Sequence, residues 1–236
     1  MVDEKGTVAR KHGVSPSDRK SSLMSNANAI SKPKLKRREA FVAAASDLDA
    51  TFVQGKRASR DQVHLEHGPW NVILDTYVVN TGQVTVTYTR AHAQYVAQDD
   101  FTLRIARKNV FDRIGELFGF HGLLIGDQEL EHKYKIKSSN EPRGRSFLMD
   151  DRLRELIMVQ PSLRLDVQPR SWWRRRKDGD GVRAVTVQTT GVVRDPDRLA
   201  NYVRVVAVTL DQLVKTGTAR AEPVAEGRVY DLSRRA

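Results

Sequence analysis

Cysteine is absent from this chain, which excludes disulfides and thiolate metal sites and fits a reducing compartment. Long apolar runs are missing too: none approaches the roughly 18 to 20 residues that cross a bilayer as a helix. The nearest targeting lookalike is the twin-arginine stretch Arg37-Arg38-Glu39-Ala40-Phe41-Val42. Its apolar part stops at Ala45, before Ser46-Asp47-Leu48-Asp49, short of a signal's h-region and well inside the chain. A cytoplasmic location is the expectation. The sequence also lacks GxSxG, a P-loop and GxGxxG. His64-Leu65-Glu66-His67 suggests metal ligation, but on a strand residues i and i+3 point to opposite faces, and no HExxH helix accompanies them. Asp178-Gly179-Asp180-Gly181 resembles the start of a calcium loop, yet Thr189 stands where an EF-hand needs its bidentate Glu. No catalytic residue, metal ligand or cofactor is therefore assigned, and the balance leans against an enzyme.

What the chain has in surplus is positive charge, net +11 over 236 residues. Residues 1–38 hold ten Lys/Arg against three Asp/Glu, and residues 170–180 hold five against two. The rest of the chain is close to balanced. Hydrophobic content of 39% and a mean hydropathy of −0.52 are low for a chain that packs throughout. Residues 1–35, rich in Ser, Lys, Asn and Arg without apolar periodicity, are expected to be a disordered basic tail. A single domain is expected over 36–217, with a flexible tail over 218–236.

Within that domain Phe41, Ala45, Leu48 and Phe52 recur at helical spacing, with Gly55 as a stop. Trp70 to Val79 and Val84 to Val96 are β-rich and flank Asn80-Thr81-Gly82-Gln83, which predicts a hairpin. Phe101, Leu103 and Ile105 alternate as a third strand. Asn109 is positioned to cap a short helix carrying Val110, Ile114, Leu117 and Phe118. Glu131 to Ser138 alternates as a strand with Lys133, Lys135 and Lys137 on one face. Asp150 or Asp151 caps a second short helix that ends before Pro161. Strands about Ser162 to Gln168 and Gly181 to Thr190 bracket residues 170–180. Asp195 as N-cap and Pro196 at the first helical position open a long amphipathic helix ended by Lys215 and Gly217. These signals predict an α+β fold: a mainly antiparallel sheet of six or seven strands, packed with N- and C-terminal helices and two short inserted helices.

Several stretches occur in an order that resembles a family of uncharacterised soluble bacterial proteins, a domain of unknown function, over about Phe41 to Ala221. They are WNVILDTYVV, VTYTRAHAQY, FTLRIARKNVFDRIGELFGFHGLLIGDQELEHKYKIKSSNE, RLRELIMVQP, GVVRDPDRL and LDQLVKTGTA. The resemblance implies a shared fold and carries over no catalytic or binding residue. Two positions depart from the usual pattern: His121-Gly122 stands for a Gln-Asp pair and Leu130-Glu131 for a Phe-Asp pair.

The sharpest local feature is Ser171-Trp172-Trp173-Arg174-Arg175-Arg176-Lys177. Indoles stack on unpaired bases and guanidiniums clamp phosphates; the same chemistry suits an anionic membrane surface. It also suits a hairpin tip whose tryptophans cap the sheet edge. Lys32, Lys34, Lys36, Arg37 and Arg38 form a second basic cluster, suited to sequence-blind nucleic-acid contact or to solubility alone. Asp75 and Arg90 lie across the first hairpin with Tyr88 and His92 nearby, either as a polar patch of pocket type or as a cross-strand pair on a solvated face. Three functional readings stay open. The leading one is a non-enzymatic binding or adaptor protein contacting nucleic acid or another polyanion through the tail and the loop. The others are a small-molecule binder or enzyme with a pocket between the sheet and the C-terminal helix, and a peripheral membrane binder. Oligomeric state is unknown.

Overall fold

In a computed structural model of the chain, residues 35–57, 60–80, 82–108, 123–168 and 181–225 are described. They build one eight-stranded, wholly antiparallel sheet in the order β1-β2-β3-β4-β8-β7-β5-β6. The strands are β1 (Thr51–Val53), β2 (Gln62–His67), β3 (Trp70–Asn80), β4 (Thr85–Val96), β5 (Leu103–Arg107), β6 (Tyr134–Ser138), β7 (Arg164–Gln168) and β8 (Val182–Thr190). Five helices accompany them: α1 (Arg37–Asp47), α2 (Gln128–Lys133), α3 (Glu141–Leu148), α4 (Asp151–Met158) and α5 (Pro196–Lys215).

The long helix forms as its sequence signals direct. Asp195 accepts from the backbone N–H of Asp197 and Arg198, Pro196 needs no donor, and Lys215 closes the last turn. Leu199, Tyr202, Val203, Val206, Leu210 and Leu213 are all buried and pack α5 across β3, β4 and β8. Among the described residues that interface is an apolar core. The first hairpin also follows its turn chemistry: Asn80 Oδ1 accepts from the Gly82 N–H at 2.8 Å, and Gly82 sits at φ 86.

Elsewhere the structure corrects the expectation. The first helix ends at Asp47 instead of running to Gly55: Asp49 turns at φ 52, and the Ala50 N–H bonds back to Ala45 O at 2.9 Å. This frees Thr51–Val53 to pair with β2, and these two short strands raise the count to eight. The segment from Glu131 is not one strand. Asp127 caps α2, Glu131 turns back to accept from the Ile125 and Gly126 N–H groups, and the strand starts at Tyr134. Lys133 is thus helical and pairs with Glu129 at 2.8 Å, which leaves Lys135 and Lys137 as the lysine row. Helix α3 carries weak apolar periodicity and is set by its Asn140 cap and Pro142. Helix α4 starts at the expected Asp150 cap. Past the end of α5, Thr218 and Ala219 are buried, Ala219 bridges Ala97, and the Arg220 N–H bonds to Val96 O at 3.0 Å. The helix expected from Asn109 and the basic tail over 1–34 lie outside the described residues.

Candidate functional site: the polar face of the sheet

Side chains alternate across a pleated sheet, and here the alternation separates two chemistries. One face carries Val72, Leu74, Ala91, Ala93, Val185, Val187, Leu165, Val167, Leu103 and Ile105, all buried in the core. The opposite face is polar. Strand register aligns Asp75, Arg90, Gln188, Arg164, Ala106 and Lys135 in one row across β3, β4, β8, β7, β5 and β6. The neighbouring row holds His64, Ile73, His92, Thr186, Asp166, Arg104 and Lys137. With strands about 4.8 Å apart, this band runs roughly 29 Å across the sheet.

At one end lies a buried ionic cluster. Arg90 donates to Asp75 through Nε at 2.9 Å and Nη2 at 2.5 Å, and Asp75 is only 3% exposed and Arg90 5%. His92 Nε2 lies 3.6 Å from Asp75 Oδ2, close enough to pair with it when the ring is protonated. Burial alone would raise the Asp75 carboxyl, but the adjoining His92 ring and the Arg90 guanidinium outweigh it and hold it at about 2. Burial pushes the His92 imidazole down, against the opposing pull of Asp75. His64 is lowered as well, first by burial; its ring bridges Gln62 and Asn71, each at 3.1 Å.

The cluster adjoins a pair of tyrosines. Tyr77 and Tyr88 face each other in register and stack at 5.2 Å between centroids, 16° apart. The Arg90 guanidinium lies 4.5 Å from the Tyr77 ring centre, and the Tyr77 hydroxyl donates to Gln188 Oε1 at 2.7 Å. Both rings are half-buried.

At the other end the face is basic. Arg104 Nε and Arg164 Nε each donate to Asp166 at 2.6 Å, so two guanidiniums share one carboxylate. Lys135 and Lys137 stand beside them in register. On this face β5, β6 and β7 therefore carry four cations and one carboxylate.

The basic cluster at the start of α1 divides. Lys36 is exposed and its backbone N–H bonds Glu39 Oε2 at 2.9 Å. Arg38 has an intramolecular partner, donating to both oxygens of the fully buried Asp61 at 2.9 and 3.0 Å. Arg37 bonds Thr76 Oγ1 and lies 5.6 Å from the Phe41 ring centre; burial lowers its pKa. Lys32, Lys34 and the loop residues Trp172, Trp173, Arg174, Arg175, Arg176 and Lys177, on which the nucleic-acid and membrane readings rested, lie outside the described residues. Among the described residues no helix is long and apolar enough to cross a membrane, and no group of three or more His, Asp or Glu is placed to hold a metal ion.

Asp75, Arg90, Tyr88 and His92 come together as the hairpin sequence suggests, and burial makes them a cluster instead of a solvated pair. Arg104, Arg164, Asp166 and the Tyr77–Tyr88 stack were not singled out. The alternation of Arg104 with Leu103 and Ile105 marked its face, but only the pairing of β5 with β7 and of β7 with β8 places it in the band.

No family model matches the chain, and no curated protein matches it. Among solved structures, the crystal structure of the mycobacterial trehalose monomycolate transport factor A, TtfA, aligns at 13% identity and a TM-score of 0.40, over 80% of this chain and 98% of that one.

Proposed function

We propose that the chain is a non-enzymatic binding protein that takes a polyanion on the basic half of its polar sheet face. The observation that carries this reading is the register of Arg104, Arg164, Lys135 and Lys137 against the single carboxylate of Asp166. A phosphate-rich chain laid across the strands meets successive cations there and releases its counterions on binding. The sequence between β7 and β8 adds five cations between Arg170 and Lys177 and two indoles. Nucleic acid is the leading partner because it combines dense phosphate with rings that aromatic side chains can stack on.

The test is titration of the full chain, at low salt, with a labelled single-stranded oligonucleotide and with inorganic polyphosphate. Binding to both is expected, weakened by Lys135→Ala combined with Lys137→Ala, two changes on a solvated face that leave the core untouched. Absence of binding to either probe overturns the reading.

A further inference from the structure

We propose that the Tyr77–Tyr88 pair is a base-stacking site, which makes the ligand a single-stranded nucleic acid with its bases free. This rests on the polyanion reading above and sharpens it. Three features point the same way. The two rings sit on the polar face, half-buried and stacked in parallel, and among the described residues the long helix α5 packs on the other face of the sheet. Tyr77 is immobilised, held by its hydroxyl on Gln188 and by the Arg90 guanidinium against its ring, and Arg90 is in turn clamped by buried Asp75. Tyr88 completes the stack and, among the described residues, meets no ring other than that of Tyr77. A rigid aromatic surface of this kind offers a flat apolar contact at small entropic cost.

The geometry also connects the stack to the cations. The tyrosine row is one pleat repeat, roughly 7 Å, from the row of Arg90, Gln188, Arg164 and Lys135. Arg90 itself is buried on Asp75, so a nucleotide whose base rests on Tyr88 meets its first cation at Arg164, and the strand continues over Arg104 toward the lysines. Polyphosphate has no group for the tyrosines, and the bases of a duplex are already stacked on one another.

The experiment compares four probes on the full-length protein: a single-stranded oligoribonucleotide, the same sequence as DNA, its duplex, and polyphosphate of matched charge. Stacking predicts that both single strands bind more tightly than duplex or polyphosphate. It also predicts that Tyr88→Ala weakens single-strand binding by roughly tenfold while polyphosphate binding stays as it was, and that Tyr88→Phe restores it. Tyrosine-selective ring labelling of the unsubstituted protein supplies a readout independent of the variant's fold. Ring signals of Tyr77 and Tyr88 shift with the oligonucleotide and not with polyphosphate. Equal affinity for all four probes, or unshifted ring signals at saturation, overturns the stacking site and leaves the basic face standing. No binding to any probe at low salt overturns both.

Discussion

Arg90 holds Asp75 through two parallel hydrogen bonds, at 2.9 and 2.5 Å, in a part of the sheet where neither residue is more than 5% exposed. The pair sits on neighbouring strands of one hairpin, on the sheet face opposite the one that packs on α5. Bidentate charge-assisted bonds of this kind fix geometry as well as charge. Here they hold the Arg90 guanidinium against the Tyr77 ring.

Removing one partner therefore leaves a buried charge alone. Asp75→Asn is expected to destabilise the fold by about 3 to 5 kcal/mol. The double change Asp75→Asn with Arg90→Met is expected to cost less than Asp75→Asn alone, because no charge is then stranded. Chemical denaturation of the two variants and the parent checks the order.

The same pair makes stability pH-dependent. The Asp75 carboxyl titrates at about 2 in the fold against 3.8 ordinarily, so its contribution, about 2 kcal/mol, is fully present above pH 4 and is lost as the pH falls toward 2. His92 is lowered by burial, so the unfolded chain binds its proton more readily, and stability declines earlier, as the pH drops below the ordinary imidazole range near 6.5. His64 is lowered as well and adds to this first decline. Urea midpoints measured from neutral pH downward are expected to fall in two stages. His92→Gln reduces the first stage and leaves the second.

Asp61 organises the entry to the sheet. Fully buried, it accepts from Arg38 and from the Gly55 N–H at 2.9 Å. Both Arg38→Ala and Asp61→Ala are expected to lower Tm: the first leaves the fully buried Asp61 carboxylate without its guanidinium, and the second leaves the Gly55 N–H without its acceptor. Gly55→Ala is expected to be destabilising as well: its Cβ would lie 2.5 Å from the Arg60 carbonyl carbon, backbone that cannot swing aside.

The Asp195 cap gives a milder test. It accepts from two N–H groups at the start of α5, and Asp195→Ala is expected to cost about 1 kcal/mol, with Asp195→Asn much closer to the parent. Thermal melts of the two variants separate cap loss from any wider effect.

Local signals made parts of this molecule legible in advance. Asp195-Pro196 and the apolar stripe behind them specify α5, and Asn80 to Gln83 specify the hairpin whose register brings Asp75 to Arg90 and Ile73 to His92. Signals failed where tertiary pairing decides. Thr51–Val53 continues the apolar spacing of Phe41 and Ala45, yet pairing with Gln62–His67 makes it a strand. Glu131 to Lys133 alternates like the strand that follows, yet the Asp127 cap draws it into a helix. The basic half of the band was hidden for a related reason. Charge is nearly balanced along the sequence outside the tail and loop, and only the pairing of β5 with β6 and β7 gathers Arg104, Arg164, Lys135 and Lys137 on one face.

The salt dependence of single-strand binding tests the central claim most directly. Titrations of a labelled oligonucleotide against the full chain, from low to physiological salt, are expected to give a log–log line of negative slope. Lys135→Ala with Lys137→Ala is expected to reduce that slope by about 1.4, the counterions of two phosphate contacts. A slope unchanged by the double substitution, or no binding even at low salt, contradicts the assignment of the polar sheet face as the binding surface.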